Sequence, residues 1–248
     1  MGRVVTLQKI ATSPRIAIKS VRNPAAACST CPVQQRCLPA GFEPRLMLEF
    51  EQLIGQQVRI RKGKPLFQIG DKFVALFAIR SGSFKTVTLS ADGFEQVTGY
   101  RLPAEVIGID GIDNEAHREE AIALEDGEVC VLPFHELEQF VRERPRLQRS
   151  LYRLLSHEVA RDRTAMLMLG SMRAEQRLAG FLLDVAARYQ ALEYSSWEFL
   201  LRMTREEIGS LLGLKLETIS RLFSNLHRDG LIQIQGPQGP RACYVWGR

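Results

Sequence analysis

No stretch of this chain approaches the roughly 18 consecutive apolar residues that a membrane-crossing helix needs, although 45% of its 248 residues are hydrophobic. No membrane partner is expected. The amino terminus lacks the compact apolar segment of a secretory signal, so the expected location is cytoplasmic, where thiols stay reduced. Histidine is scarce: His117, His135, His157 and His227 are scattered. No paired metal-binding helix, phosphate-cradling glycine loop or flagged nucleophile is present, so an enzyme is not expected. Each histidine is expected at a surface or a helix end. There is no internal repeat and no low-complexity tract.

Acidic residues are missing from the leader, where Arg3, Lys9, Arg15, Lys19, Arg22 and Arg36 all precede the first carboxylate, Glu43. Such a cationic leader suits an organelle transit peptide, a nucleic-acid arm or an anionic partner closer by. The cysteines number five, an odd count that argues against a disulfide framework. Three of them, Cys28, Cys31 and Cys37, crowd into "CSTCPVQQRC". The cluster points to metal ligation, and spacing alone leaves both a tetrathiolate zinc site and an iron–sulfur site open, each short of a fourth donor.

The length allows one large core or two modest ones, and two folded units are expected. After the cysteines, "FEPRLMLEFEQLIGQQ" reads as a short amphipathic helix. From about Val58 to Leu132 the chain runs in short, often alternating apolar stretches broken by glycine, such as "PLFQIGD" and "EVCVLP". That texture predicts strands and tight turns, hence a β-roll or barrel. Pro145 suits the first turn of a helix, and nothing breaks the chain before Gly170, so one long helix is expected there.

Within that helix Tyr152, Leu155, Val159, Asp162, Met166 and Leu169 fall at alternating spacings of three and four, the seam of a two-stranded coiled coil. A lone amphipathic helix packed on its own domain would use the same stripe. Asp162 in a dimer seam would face its own copy across a two-fold axis, where like charges repel and desolvation is costly. Such a homodimer would come apart easily.

Further on, Thr204 with Glu207 forms a capping box that opens a helix carrying Ile208, Leu211 and Leu212 inward, and Gly213 ends it. A second helix follows, with Leu216, Ile219, Phe223 and Leu226 expected to be buried. Glu217, Ser220 and Arg221 share the opposite face, with Thr218 beside them. This layout is a helix-turn-helix, whose second helix reads base edges of double-stranded DNA in the major groove. Arg221 suits guanine, Glu217 a cytosine amino group, and Ser220 a base edge or a thymine methyl. Lys215, at a cap position where Ser or Thr is preferred, suits a phosphate. "LIQIQ" and "ACYV" make a two-stranded wing whose tip bears Arg241, a second phosphate contact, and Cys243 reads as plain core.

These parts together resemble the CRP/FNR transcription regulators across nearly the whole chain, including "KGKPLFQIGD", "LFAIRSG", "RMTREEIGSLLGL" and "LETISRLFSNLHRDGLI". Cys28, Cys31, Cys37 and Cys130 resemble the FNR branch, the fumarate and nitrate reduction regulators. The resemblance implies an α+β fold: an N-terminal cyclic-nucleotide-binding-like β-roll, a long dimerisation helix and a C-terminal winged helix-turn-helix. The expected boundaries are 1–43 for the cysteine-bearing segment, 44–143 for the roll, 144–170 for the helix and 171–248 for the DNA-binding unit.

It also implies a [4Fe-4S] cluster on those four cysteines, molecular oxygen as the signal and a two-fold operator of the TTGAT-N4-ATCAA kind. RNA polymerase contact is implied through Ser90, Ala91, Asp92 and Gly93. Cyclic-nucleotide receptors of this family resemble a Gly-Glu-Leu followed by Arg-Ser. In "GIDGIDNEAHREEA", Asp110 stands for the glutamate and Glu120 for the arginine, so carboxylates would repel a cyclic phosphate. Another small effector, or a structural zinc, is the alternative.

Overall fold

The structure is a computed structural model, which describes residues 28–54, 56–90, 93–235 and 241–245. Two 3₁₀ turns, Cys28–Thr30 and Gln34–Arg36, precede helix α1 (Pro44–Leu53). Eight strands follow: β1 (Gln56–Ile60), β2 (Pro65–Phe67), β3 (Ala75–Ser81), β4 (Phe84–Leu89), β5 (Glu95–Arg101), β6 (Val106–Ile107), β7 (Glu120–Ala123) and β8 (Gly127–Pro133). Helices α2 (Phe134–Arg142), α3 (Pro145–Ser171) and α4 (Ala174–Ala191) lead to strand β9 (Glu198–Leu201). Helices α5 (Arg205–Leu212) and α6 (Leu216–Arg228) and strands β10 (Ile232–Gln235) and β11 (Arg241–Val245) complete the described chain.

The roll consists of two antiparallel sheets, ordered β1-β8-β3-β6 and β2-β7-β4-β5. Side chains alternate between the faces of a strand, and β3 and β8 are buried on both. Their Ala75, Phe77, Ile79, Val129 and Val131 fill the core between the sheets. Leu76, Ala78, Cys130 and Leu132 point the other way, into a second core under α1, α2 and the start of α3. That alternation sets Cys130 on the face where the cysteine-bearing segment lies.

A third core joins the two expected units. Val87, Val97 and Tyr100 of the roll pack with Leu178, Phe181 and Val185 of α4 and with Ile208 and Ile219 of the carboxy-terminal helices. Polar bonds cross the same boundary: the Val97 N–H donates to Ser210 Oγ at 2.9 Å, Lys85 pairs with Glu207 at 3.0 Å, and Arg202 pairs with Glu125 at 2.9 Å. The carboxy-terminal unit is thus seated on the roll, and its core continues into apolar residues of the roll, which also keeps a core of its own between its sheets.

Other differences from the sequence reading have local causes. The first helix stops at Leu53 because Gln56 and Gln57 are taken into the β1–β8 ladder. Helix α2 was not expected. The wing has three strands, ordered β10-β11-β9, instead of two. His117 is buried, not at a surface: its ring stacks on Phe67 with centroids 3.7 Å apart, and Nδ1 lies 3.3 Å from Asp110. No helix of the described residues is long and apolar enough to cross a membrane.

The turn from β3 to β4 depends on Gly82, at φ +81°, where a Cβ would lie 2.7 Å from the Gly127 backbone. Gly82→Ala is expected to destabilise the chain by at least about 1–2 kcal/mol from the left-handed backbone alone. A lower urea midpoint at unchanged slope would show it; an unchanged midpoint would contradict this packing.

Candidate metal centre and nucleic-acid interface

Successive tight turns curl residues 28–42 onto the roll. The Cys31 N–H donates to the Cys28 carbonyl at 3.0 Å, Cys37 to Val33 at 3.1 Å and Ala40 to Cys37 at 2.9 Å. The Ser29 N–H ties the first turn to Glu51 of α1 at 2.8 Å. As a result Cys28, Cys31, Cys37 and Cys130 line one cavity of about 20 Å³, walled also by Ala78, Ile79 and Leu132. All four are free thiols. Ala78 sits directly across from Cys130 in the β3–β8 register, and the buried Cys130 sulfur accepts from Gln57 Nε2 at 3.9 Å.

Burial pushes the Cys28 and Cys37 thiols up to about 12, and neighbouring cysteines add to it. Cys130 rises to about 11, again through burial and then Cys31. Ionising one sulfur therefore opposes ionising the next, and four thiolates need a cationic core to coexist there. Among the described residues, no three Cys, His, Asp or Glu side chains are grouped as a holder for a single ion. The donor chemistry, four thiols from two segments of the chain, would suit an iron–sulfur group. The cavity in this packing, however, has space for little more than one water.

The same core reaches the long helix. Cys37, Leu38 and Phe42 pack with Phe50, Phe140, Leu147 and Leu151, and Phe42 meets Phe50 edge-on at 5.4 Å. Arg144, the residue capping α3, lies over the Phe140 ring and pairs with Glu49 of α1 at 2.7 Å. Farther along α3, Tyr152, Val159, Met166 and Leu169 are exposed, Met166 by 71%. Leu155 is half-buried and Asp162 exposed. Burial raises the Glu119 carboxyl, and Asp110 and Asp162 push it the same way.

In the helix-turn-helix, Thr204 Oγ1 accepts from the Glu207 N–H at 3.1 Å while Glu207 accepts from the Thr204 N–H at 2.7 Å. Gly213 closes α5 at φ +62°. Helix α6 begins after Lys215, which makes no side-chain cap bond. Ile219, Leu222 and Phe223 are buried, whereas Leu226 is half-buried. Leu216 is 45% exposed, contrary to expectation, because the first turn of α6 projects past the core. Glu217, Ser220 and Arg221 are exposed and Thr218 is half-buried. Glu217 and Arg221 form no ion pair with each other, so the exposed face is not closed on itself.

Arg205 stacks its guanidinium 3.7 Å over Phe223, a support that no sequence spacing announced. Arg241 opens β11, but its side chain lies outside what is described. Ala91 and Asp92 are likewise outside the described residues; beside them the Gly93 N–H donates to the Ser90 carbonyl at 2.9 Å.

A half-buried ionic junction also has no signal in the sequence. Glu105, in the turn before β6, takes a forked pair from Arg188 of α4 at 2.8 and 2.9 Å and another from Arg161 of α3 at 3.2 and 3.4 Å. Burial alone would raise its carboxyl, but Arg188, Arg161 and Arg101 outweigh that and hold it below the usual range. In the turn that follows β6, Asp110 accepts from the Arg118 and Glu119 N–H groups at 2.7 and 3.1 Å. Burial opposes its charge, yet the His117 ring and those N–H groups lower its carboxyl overall. Glu120 bonds Gln68 at 3.4 Å.

Comparison with known proteins gives two domain matches: a cyclic nucleotide-binding domain over residues 57–144 and a Crp-like helix-turn-helix domain over residues 176–239. The chain is 45% identical to the transcriptional regulatory protein btr of Bordetella pertussis, over 85% of this chain and 87% of that one. It is 40% identical to the anaerobic regulatory protein of Pasteurella multocida, over 86% of this chain and 78% of that one. The solved structure of FixK2 from Bradyrhizobium japonicum matches with a TM-score of 0.69 at 28% identity, covering 78% of this chain and 93% of that one.

Thr204→Ala removes the acceptor that starts the helix-turn-helix and is expected to cost about 1 kcal/mol. Urea denaturation checks it; no change would mean that the cap contributes nothing to this unit.

Proposed function

The chain belongs to the CRP/FNR family of DNA-binding transcription regulators, and from that premise we propose that it answers to oxygen through a [4Fe-4S] cluster held by Cys28, Cys31, Cys37 and Cys130. One observation carries the reading: four free thiols, three from the curled segment and one from β8, line a single cavity. The name of the Pasteurella relative, an anaerobic regulatory protein, supports the same direction. When bound, the cluster would supply an air-labile cationic core that compensates the four thiolates.

The rest is work for the chain's own residues. Widening a 20 Å³ cavity requires the turns at 28–42 to part from the sheet, which short turns do more readily than a paired strand. Anchored at four sulfurs, that segment would hold Leu38 and Phe42 against Phe50 and Phe140, and so steady Leu147 and Leu151 at the start of α3. Tyr152, Leu155, Val159, Met166 and Leu169 would then pair with a second copy along the two-fold axis. Asp162 would sit in that seam as the repulsive element the anchoring offsets. Without the anchor, the balance tips towards separate chains. A tenfold change in dimer population takes only about 1.4 kcal/mol.

The paired chains would present two α6 helices to successive major grooves about 34 Å apart. Arg221, Glu217 and Ser220 would read a two-fold TTGAT-N4-ATCAA operator, with Thr218 beside them and Lys215 and Arg241 on phosphates. RNA polymerase would be met at Ser90, Ala91, Asp92 and Gly93, next to the exposed Phe94. The protein is not an enzyme.

Purification without oxygen is expected to give a coloured protein with iron and sulfide in equal amount, and Cys130→Ser is expected to lose both. Colourless protein containing zinc would replace this reading with a structural site. Metal-free protein that binds a small effector tightly would replace it with the other alternative. Arg221→Ala is expected to lose about 1–3 kcal/mol of preference at one guanine step. Equal losses across all base substitutions in a binding titration would make Arg221 a phosphate contact only.

A further inference from the structure

Three segments of different origin meet at Glu105: the turn that follows β5, the long helix α3 and the first helix of the carboxy-terminal unit, α4. The carboxylate is half-buried, with 16% of its side chain exposed. Arg188 grips both oxygens, at 2.8 and 2.9 Å, and its Nη2 also donates to the Tyr100 carbonyl at 2.6 Å. Arg161 donates to the same two oxygens and, through Nη1, to Glu158 at 3.1 Å. Glu158 in turn pairs with Arg101 at the end of β5.

The backbone aims this carboxylate. Ala104, just before it, has φ +71°, a left-handed conformation that a side chain adopts only where the surroundings impose it. The surroundings are β3: the Ala104 N–H donates to the Ile79 carbonyl at 2.8 Å, and the Ile79 N–H donates to the Glu105 carbonyl at 2.9 Å. Ile79 is also a wall of the cysteine-lined cavity.

We propose that Glu105 is the positioning residue that sets the angle of the DNA-reading unit on the paired long helices. Buried ion pairs contribute little net stability, because desolvation offsets their attraction, whereas forked arginine–carboxylate pairs are strongly directional. Their contribution at this junction is therefore geometry. A chain that binds a two-fold site must hold two recognition helices at fixed spacing, and a loose α3–α4 junction spoils that spacing without touching either recognition surface. The carboxylate must be charged, since an amide would remove the one anion that Arg188 and Arg161 share, leaving Arg188 to Asp184 and Arg161 to Glu158.

This inference rests on the chain being a two-fold operator-binding regulator, and the test separates the two. Fluorescence anisotropy, under oxygen-free conditions, would compare the full TTGAT-N4-ATCAA duplex with a duplex carrying one half-site. Wild type is expected to prefer the full duplex strongly; equal binding to both would overturn the operator reading and this inference with it. Glu105→Ala is expected to bind the full duplex at least about tenfold more weakly, within the 5–150-fold range usual for coupling between sites. Its half-site affinity and its dimer fraction by sedimentation are expected to match wild type, and Glu105→Asp to restore most of the loss. Should Glu105→Ala fail to fold, Glu105→Gln, which keeps the shape and removes the charge, carries the same comparison. Full-duplex binding as tight as wild type, or equal losses on both duplexes, would overturn the positioning role.

Discussion

The alternation of side chains along β3 and β8 is the constraint on which the rest of this molecule depends. These two strands have no solvent face. One set of residues, including Phe77, Ile79, Val129 and Val131, closes the roll on itself, while Ala78, Cys130 and Leu132 form the floor on which the amino-terminal segment is laid. A shift of one residue in register would exchange the faces and bury Cys130 between the sheets. The five-residue ladder of β1 on β8 and the longer one of β3 on β8 hold that register from both sides. The place of the fourth thiol is therefore fixed by the core packing of the roll.

From that floor, connection to the rest of the chain runs by contact rather than by long levers. The aromatic series Phe42, Phe50 and Phe140 links the cysteine-bearing segment to the start of α3. The middle of α3 meets the roll again at Glu158 and Arg161, and α4 meets it at Arg188. The helix-turn-helix then rests on β4 and β5 through Lys85, Ser210 and a shared apolar core. Each unit touches the roll directly, so displacement of any one of them is felt at a sheet whose hydrogen bonds resist deformation.

What the sequence made legible was local. Val129-Cys130-Val131 reads as a strand because apolar character and branching repeat along it, and the Thr204–Glu207 cap with the Gly213 stop reads directly as a helix start and end. The outward face of α6 follows from the 3.6-residue period. The parts that escaped depend on distant partners. Strand β9 exists because β11 pairs with it. Glu105 looks like any surface glutamate until Arg161 and Arg188, 56 and 83 positions away, close on it. Leu216 satisfies the apolar period but lies beyond the edge of the core that the period implies. His117, read as a surface residue, is buried because two phenylalanines and Asp110 together accommodate its ring.

That last arrangement has a consequence for how the roll can be addressed. Asp110 is a fixed negative charge built into the chain, already saturated by two backbone amides and an imidazole, with Glu119 close by. The loop is thus self-liganded: it carries its own counterpart of a bound anion and folds around it without waiting for one to arrive. In this loop the charge of Asp110 is met by the chain's own groups.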